Sequence, residues 1–476
     1  MTLPWEIENF LDVRDGQLHI DGVSAVALAR EYGTPLFVYS ESRIRHNLSR
    51  VKLAADAIGC PLKICYAAKA MSTMGLLRVI KDAGSDIEVN SGGELWKALE
   101  IGFTGSQIIF NGTSKEVWEL ETAINAGIYA IQVDSLYELA LIAETARRLG
   151  KRANVSLRLV PEIETGTHSG LQTALLTSKF GMMPDEAFGA FHQYKDSPHL
   201  DLCGVHLHIG SQNPEATPYS QAFAMLFESM LRIYRETGIK LKHINLGGGF
   251  PINYLRDSSM VEAIPAEQRA MFQADFEPID AIGNAWDTVR AAAEAAGALD
   301  LLDGLTLLLE PGRSIISDAA ICLTTVRNHK SRPIHLAGTH DPEEETGKEH
   351  WLLTDAGFNI LLSMATYKWY YHLIAAERAS ELHDSAYKVA GPLCDGGDVY
   401  FDIEGENLLP EHRLLPANVQ PGELLALLNC GAYSLAQGSQ YNGRGLPPVI
   451  LITANGEPQL IRRRDSFLDL VAQDVY

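Results

Sequence analysis

Between Leu36 and Leu309 the chain repeats one theme: a short apolar run, a loop, and in several places an amphipathic stretch. The runs are Leu36-Phe-Val-Tyr39, Lys63-Ile-Cys-Tyr66, Asp86-Ile-Glu-Val89, Gln107-Ile-Ile-Phe110, Ala130-Ile-Gln-Val133, Asn154-Val-Ser-Leu-Arg158, Gly204-Val-His-Leu-His208, His243-Ile-Asn-Leu246 and Thr306-Leu-Leu-Leu309. Each is too short for a helix and is rich in residues that suit a buried strand. The stretch from Leu136 to Leu149 carries apolar residues at helical spacing. About eight parallel strands alternating with helices over about 270 residues predict a closed, TIM-like α/β barrel.

After Arg313 the texture changes. Trp351-Leu-Leu-Thr354, Leu424-Leu-Ala-Leu-Leu428 and Val449-Ile-Leu-Ile452 are strand-like and separated by turns, which predicts a C-terminal antiparallel β domain. The expected layout is an N-terminal segment, 1–35, packing on that domain, a barrel over 36–313 and the β domain over 314–476. Asp341-Pro-Glu-Glu-Glu-Thr-Gly-Lys-Glu349 reads as an exposed acidic loop.

A length of 476 residues exceeds one ordinary domain, and 46% hydrophobic with 21% charged residues is a globular composition. No apolar run is long enough to span a bilayer, and Met1-Thr-Leu-Pro-Trp-Glu-Ile-Glu lacks the basic start and apolar core of a signal peptide. The formal net charge of −21 disfavours nucleic acid and anionic membrane as partners. The six cysteines, at 60, 65, 203, 322, 394 and 430, form no CxxC pair, so neither a zinc site nor a disulfide framework is expected. A reducing, cytoplasmic location follows from that usage.

Five motifs fall where a strand-like run gives way to a loop, and together they supply an amine, a ring partner, a phosphate cradle and a carboxylate. In Tyr66-Ala-Ala-Lys69, Lys69 sits at a strand's end, where a barrel keeps its chemistry and an amine can condense with a carbonyl cofactor. Taken alone it is also what a surface lysine looks like. His206 and His208 share one side of a strand in His206-Leu-His208-Ile-Gly-Ser211. One imidazole can stack on a pyridine ring while the other fills the barrel; no third ligand is spaced to make them a metal site. In Gly247-Gly-Gly249 three residues without side chains let N–H groups converge on a phosphate, or else simply turn the chain. Glu310-Pro-Gly-Arg313 offers a carboxylate for a pyridine nitrogen, Gly312 for close approach to phosphate and the Arg313 fork for phosphate or carboxylate. Gly391-Pro-Leu-Cys394-Asp395 adds a thiol able to return a proton to a carbanion and a carboxylate able to bind an ammonium. The set points to pyridoxal 5'-phosphate.

With Ser91-Gly-Gly-Glu94, Ser178-Lys-Phe-Gly181 and Gly431-Ala-Tyr433, these motifs make residues 35–476 resemble the fold-type III pyridoxal phosphate decarboxylases, most of all the diaminopimelate decarboxylase family. The resemblance implies a barrel followed by a C-terminal β-barrel domain, and a homodimer whose β domain completes the partner's site. It implies that Lys69 carries the cofactor, that His208 stacks on its ring and that Ser211, Gly248, Gly249, Gly312 and Arg313 belong to the cofactor site. Glu310 then pairs with the pyridine nitrogen, Cys394 is the proton donor, and Tyr433 touches cofactor and substrate. Arg313, Tyr367, Asp395 and Tyr433 are the implied substrate contacts.

The chain departs from the family's pattern at one informative place. Where the family continues a segment like Asp355-Ala-Gly-Phe-Asn359 into an arginine-proline pair, this chain has Ser363-Met364 before Tyr367. Losing a bidentate clamp leaves a distal carboxylate poorly paired. Asp395 replaces the family's glutamate, and Glu88-Val-Asn90 replaces its usual aspartate segment. On these grounds the expected activity is decarboxylation of D-lysine or D-ornithine to cadaverine or putrescine, by similarity to enzymes of that kind. The alternatives are meso-diaminopimelate decarboxylation with Arg313 alone holding the distal carboxylate, action on a siderophore or antibiotic precursor amino acid, and amino acid racemisation.

Overall fold

The protein is described here from a computed structural model covering residues 3–160, 162–163, 165–167, 171–173, 178–255, 264–333, 347–406 and 408–475. Most of the acidic segment 341–349 lies outside them. The chain divides into two units: residues 45–252 with 274–315, and residues 1–44 with 253–273 and 316–476.

The first unit is a closed barrel of eight parallel strands: β1 (Leu62–Ala67), β2 (Asp86–Val89), β3 (Ile108–Phe110), β4 (Ala130–Val133), β5 (Ala153–Arg158), β6 (Leu200–His206), β7 (His243–Asn245) and β8 (Thr306–Leu309). The ring closes through β8 against β1, with Leu309 opposite Ile64. Helices between the strands are delimited locally. The helix Leu136–Leu149 starts where Ser135 Oγ accepts the Glu138 N–H, and stops at Gly150 in the left-handed region (φ 65°). It buries Leu139, Ile142 and Ala146 and leaves Arg147 and Arg148 in the last turn, favourable against the helix dipole.

In-register pairing fixes which residues look into the barrel, because residues paired across parallel strands point the same way. Ala67 pairs with Glu88, Arg158 with His206, and His206 with Asn245. These inward positions lie at the C-terminal ends of the strands, the end at which barrel enzymes work.

The second unit is built on a nine-stranded sheet. Its long strand Ala320–Pro333 pairs antiparallel with Leu36–Ser40, Lys348–Thr354 and Leu424–Leu428. The sheet is mixed: Val449–Ile452 runs parallel to Leu36–Ser40, and Ser385–Ala390 parallel to Lys348–Thr354. Leu36–Ser40 is thus no barrel strand, contrary to its reading in sequence. All five of its residues are buried, and an apolar run buried on both faces looks alike in a parallel barrel and a central mixed-sheet strand. Trp5, Phe10, Leu18 and Ile20 from the N-terminal segment share one core with Val38, Ile321, Leu323, Ile374, Leu428 and Ile450. No helix among the described residues is long and apolar enough to cross a membrane.

Candidate active site

The site is assembled at the C-terminal mouth of the barrel. After β1 the chain makes a short 3-10 turn, Ala68–Ala70, pinned by the Tyr66 hydroxyl donating to the Met71 carbonyl at 3.0 Å. Lys69 is exposed on this turn, whereas residues 64–68, 70 and 71 are buried. Its ammonium acts electrostatically on Glu94, Glu310, His206 and His208, which places it over the polar end of the barrel.

Glu310, directly after β8, is buried and held from two sides. Asn245 Nδ2 donates to its Oε1 at 2.7 Å and Asn111 Nδ2 to its Oε2 at 3.0 Å. The His206 ring lies 3.7 Å from Oε2. Burial and the neighbouring Glu88 push the Glu310 carboxyl up to about 7, against the opposing pull of Lys69 and the two amides. A carboxyl poised there can pair with a ring nitrogen in either protonation state.

The two histidines divide into different jobs. His206 is fully enclosed, and burial, reinforced by Arg158, drives its pKa well below the usual imidazole range. His208 is partly exposed to the mouth; its pKa too is driven down by burial and by Lys69. The Gly210 N–H donates to His208 Nδ1 at 3.0 Å, so the neutral ring carries its proton on Nε2. The Thr173 hydroxyl stands 2.9 Å from both Nδ1 and the His208 carbonyl. A neutral, oriented ring can lie flat on an aromatic cofactor without placing a charge against it.

The loop after β7 threads between two carbonyls. A Cβ at Gly248 would stand 2.2 Å from the Glu310 carbonyl oxygen, and one at Gly249 2.2 Å from that of Gly210, so only glycine passes here. The N–H groups of Gly248, Gly249 and Gly312 donate to nothing among the described residues. The buried Ser314 hydroxyl likewise meets no partner there. Arg313 is buried with its Nε donating to Ser211 Oγ at 3.1 Å. Unpartnered donors beside an arginine are what an anion such as a phosphate completes. The expected pyridoxal phosphate therefore fits these residues, with a cradle for its phosphate, a carboxyl for its ring nitrogen and an amine for its aldehyde.

The structure thus gathers Lys69, His208, Ser211, Gly248, Gly249, Glu310, Gly312 and Arg313 in the barrel unit. Cys394, Asp395, Tyr367 and Tyr433 belong to the sheet unit. Cys394 is exposed, its N–H donating to Asn442 Oδ1 at 2.6 Å, and Asp395 accepts from the Tyr441 hydroxyl at 3.2 Å. Tyr433 holds a positive φ of 55°, rare for a bulky residue, and its carbonyl accepts from Ser363 Oγ at 3.0 Å. Asn111, Arg158 and Asn245 are not singled out by the sequence, and Glu88 stands out there only as a departure from the family's aspartate segment. Their signal was weak but regular: one polar residue at the end of, or just beyond, an apolar strand.

Residues 42–317 match the family described as pyridoxal-dependent decarboxylase, pyridoxal binding domain. The diaminopimelate decarboxylase of Methanocaldococcus jannaschii is 32% identical over 472 residues, covering 98% of this chain and 96% of the relative. That of Bacillus subtilis is 32% identical over 463 residues, covering 97% and 95%. The crystal structure of the M. jannaschii enzyme in complex with L-lysine superposes with a TM-score of 0.82 at 30% identity, covering 100% of this chain and 99% of that one.

These relatives overturn the D-lysine or D-ornithine reading, and with it cadaverine and putrescine as products. That reading rested on Ser363 taken together with Cys394-Asp395. In the structure the Ser363 hydroxyl is buried and engaged with the Tyr433 carbonyl and with Gln437 Oε1 at 3.2 Å. It shapes the turn that carries Tyr433, and one replaced arginine weighs less than similarity along nearly the whole chain.

Proposed function

This chain belongs to the pyridoxal-dependent decarboxylases, carboxy-lyases that work with pyridoxal phosphate, and from that premise we propose that its substrate is meso-diaminopimelate, decarboxylated to lysine. One observation carries the reading: the polar mouth around Lys69 and Glu310 sits in a chain similar to diaminopimelate decarboxylases over 98% of its length. When bound, the cofactor supplies an electron sink for the pair left behind as the carboxylate departs.

The chain's own residues divide the remaining work. Lys69 holds the cofactor through its amine, in the field of Glu94 and Glu310. Gly248, Gly249 and Gly312 hold the phosphate. Glu310 keeps a proton at the ring nitrogen, and His208, neutral and fixed in one tautomer by Gly210, covers the ring. Cys394 returns a proton to the substrate carbon, Asp395 and Tyr433 take the distal ammonium, and Arg313, braced by Ser211, takes the distal carboxylate.

We further propose a cytoplasmic homodimer in which Cys394 and Asp395 serve the partner's barrel. Supporting this, both residues are exposed. So are Trp96, Trp118 and Tyr137, on three successive helices that follow β2, β3 and β4. Large aromatics exposed together mark contact surfaces.

The test is turnover by the purified protein with added pyridoxal phosphate, offered meso-diaminopimelate, L-lysine, L-ornithine and L-arginine in separate reactions. Lysine and carbon dioxide in equal amounts, from meso-diaminopimelate alone, is the expected result. Failure on meso-diaminopimelate with release of carbon dioxide from another amino acid would overturn the substrate.

A further inference from the structure

In the upper layer of the barrel two carboxylates share one amide. Asn111 Nδ2 donates to Glu88 Oε1 at 2.8 Å and to Glu310 Oε2 at 3.0 Å. Glu88 is fully buried, Glu310 is 3% exposed, and Glu88 Oε2 has no hydrogen-bond partner among the described residues. The charged and titratable groups facing this pair come from five elements. Lys69 follows β1 and Arg158 ends β5; Arg158 feels both carboxylates as well as Asp134, which follows β4. His206 on β6 is held neutral by burial, and Cys65 on β1 is held as the thiol by burial. Glu94, beyond β2, also feels Glu88.

Two ionised carboxylates bridged by a single neutral amide repel each other strongly in so dry a place. Protonating one of them relieves the repulsion, and the carboxyl pushed up toward neutrality is Glu310. We infer that Glu88 is a positioning residue for the cofactor ring, keeping a proton on Glu310 in the cofactor-free enzyme that Glu310 gives up when the cationic ring docks against it. The ring brings its own N–H, so the Glu310 O–H bond breaks, that proton leaves to solvent, and a carboxylate remains beside the cationic ring. Glu88 acts through its charge, and Asn111 fixes the geometry. The inference rests on the cofactor class and not on the substrate, so it stands or falls apart from the choice of meso-diaminopimelate.

Proton release on binding reads this directly. Cofactor-free enzyme is titrated calorimetrically with pyridoxal phosphate in buffers of different ionisation enthalpy, at pH 6, 7 and 8. Glu88→Gln keeps an acceptor for Asn111 but removes the charge, so Glu310 should ionise earlier and hold less of a proton to give up. The variant is expected to release about half a proton less than wild type at pH 7, with the gap widening toward pH 6 and closing toward pH 8. Glu88→Asp, which keeps the charge, should restore release toward wild type. Equal release by wild type and Glu88→Gln at all three pH values would overturn the inference. Should Glu88→Gln not fold, Glu310→Gln decides: its release at pH 7 falls below wild type by about half a proton, or, if unchanged, Glu310 carries no such traffic.

Discussion

Two levels of the barrel interior, two residues apart along the same strands, treat polar atoms in opposite ways. At the lower level Cys65, Ile109 and Leu308 form a fully buried apolar cluster. Two residues on, Ile109 gives way to Asn111 and Leu308 to Glu310, joined by Glu88, Arg158, His206 and Asn245. Folding alone favours the lower arrangement, because buried charge costs several kcal/mol even when paired. The upper level therefore marks where stability has been given up for a site, and it coincides with the strand ends that open on Lys69.

The contrast can be broken from either side. Glu310→Gln should cut turnover on the order of a hundredfold or more, since it removes the group proposed to keep charge on the ring. The same change should stabilise the cofactor-free protein in alkali. The Glu310 carboxyl is raised from 4.5 to about 7 by burial, so the native state binds its proton more tightly than the unfolded chain. Stability from this group is then greatest below about pH 4.5 and lost as pH rises to about 7. At pH 8 the variant should gain on the order of 3 kcal/mol in denaturant unfolding, shrinking to nothing near pH 4. A variant no more stable at pH 8 than at pH 4, relative to wild type, would mean that the upper level stores no such cost.

Leu308→Ala attacks the lower level and should behave in the opposite sense. It is expected to destabilise the protein by about 2–5 kcal/mol through the cavity it leaves, while kcat of the remaining folded enzyme changes little. A large loss of kcat with unchanged stability would erase the distinction between the two levels.

Much of the upper level was visible in sequence at its loops and little of it in its strands. Lys69, His208, the triple glycine and Glu310 stand at strand-to-loop junctions, where a polar or glycine residue interrupts an apolar run. Glu88 and Asn245 each sit alone among apolar neighbours, and nothing local says whether such a residue points in or out. Their meaning emerges only from register, once Ala67 is opposite Glu88 and His206 opposite Asn245. The same limit explains Leu36–Ser40, whose apolar run is compatible with either sheet. It also explains Ser363, where an absent arginine was read as a change of substrate although the hydroxyl is committed to Tyr433 and Gln437.

Lys69, the exposed amine over the polar level, is the group proposed to hold the cofactor. Borohydride reduction of the enzyme loaded with pyridoxal phosphate, followed by peptide mass mapping, tests it most directly. A single modified peptide spanning Lys69, absent from Lys69→Ala, is the predicted result; modification of another lysine in the wild-type enzyme, with Lys69 untouched, would contradict it.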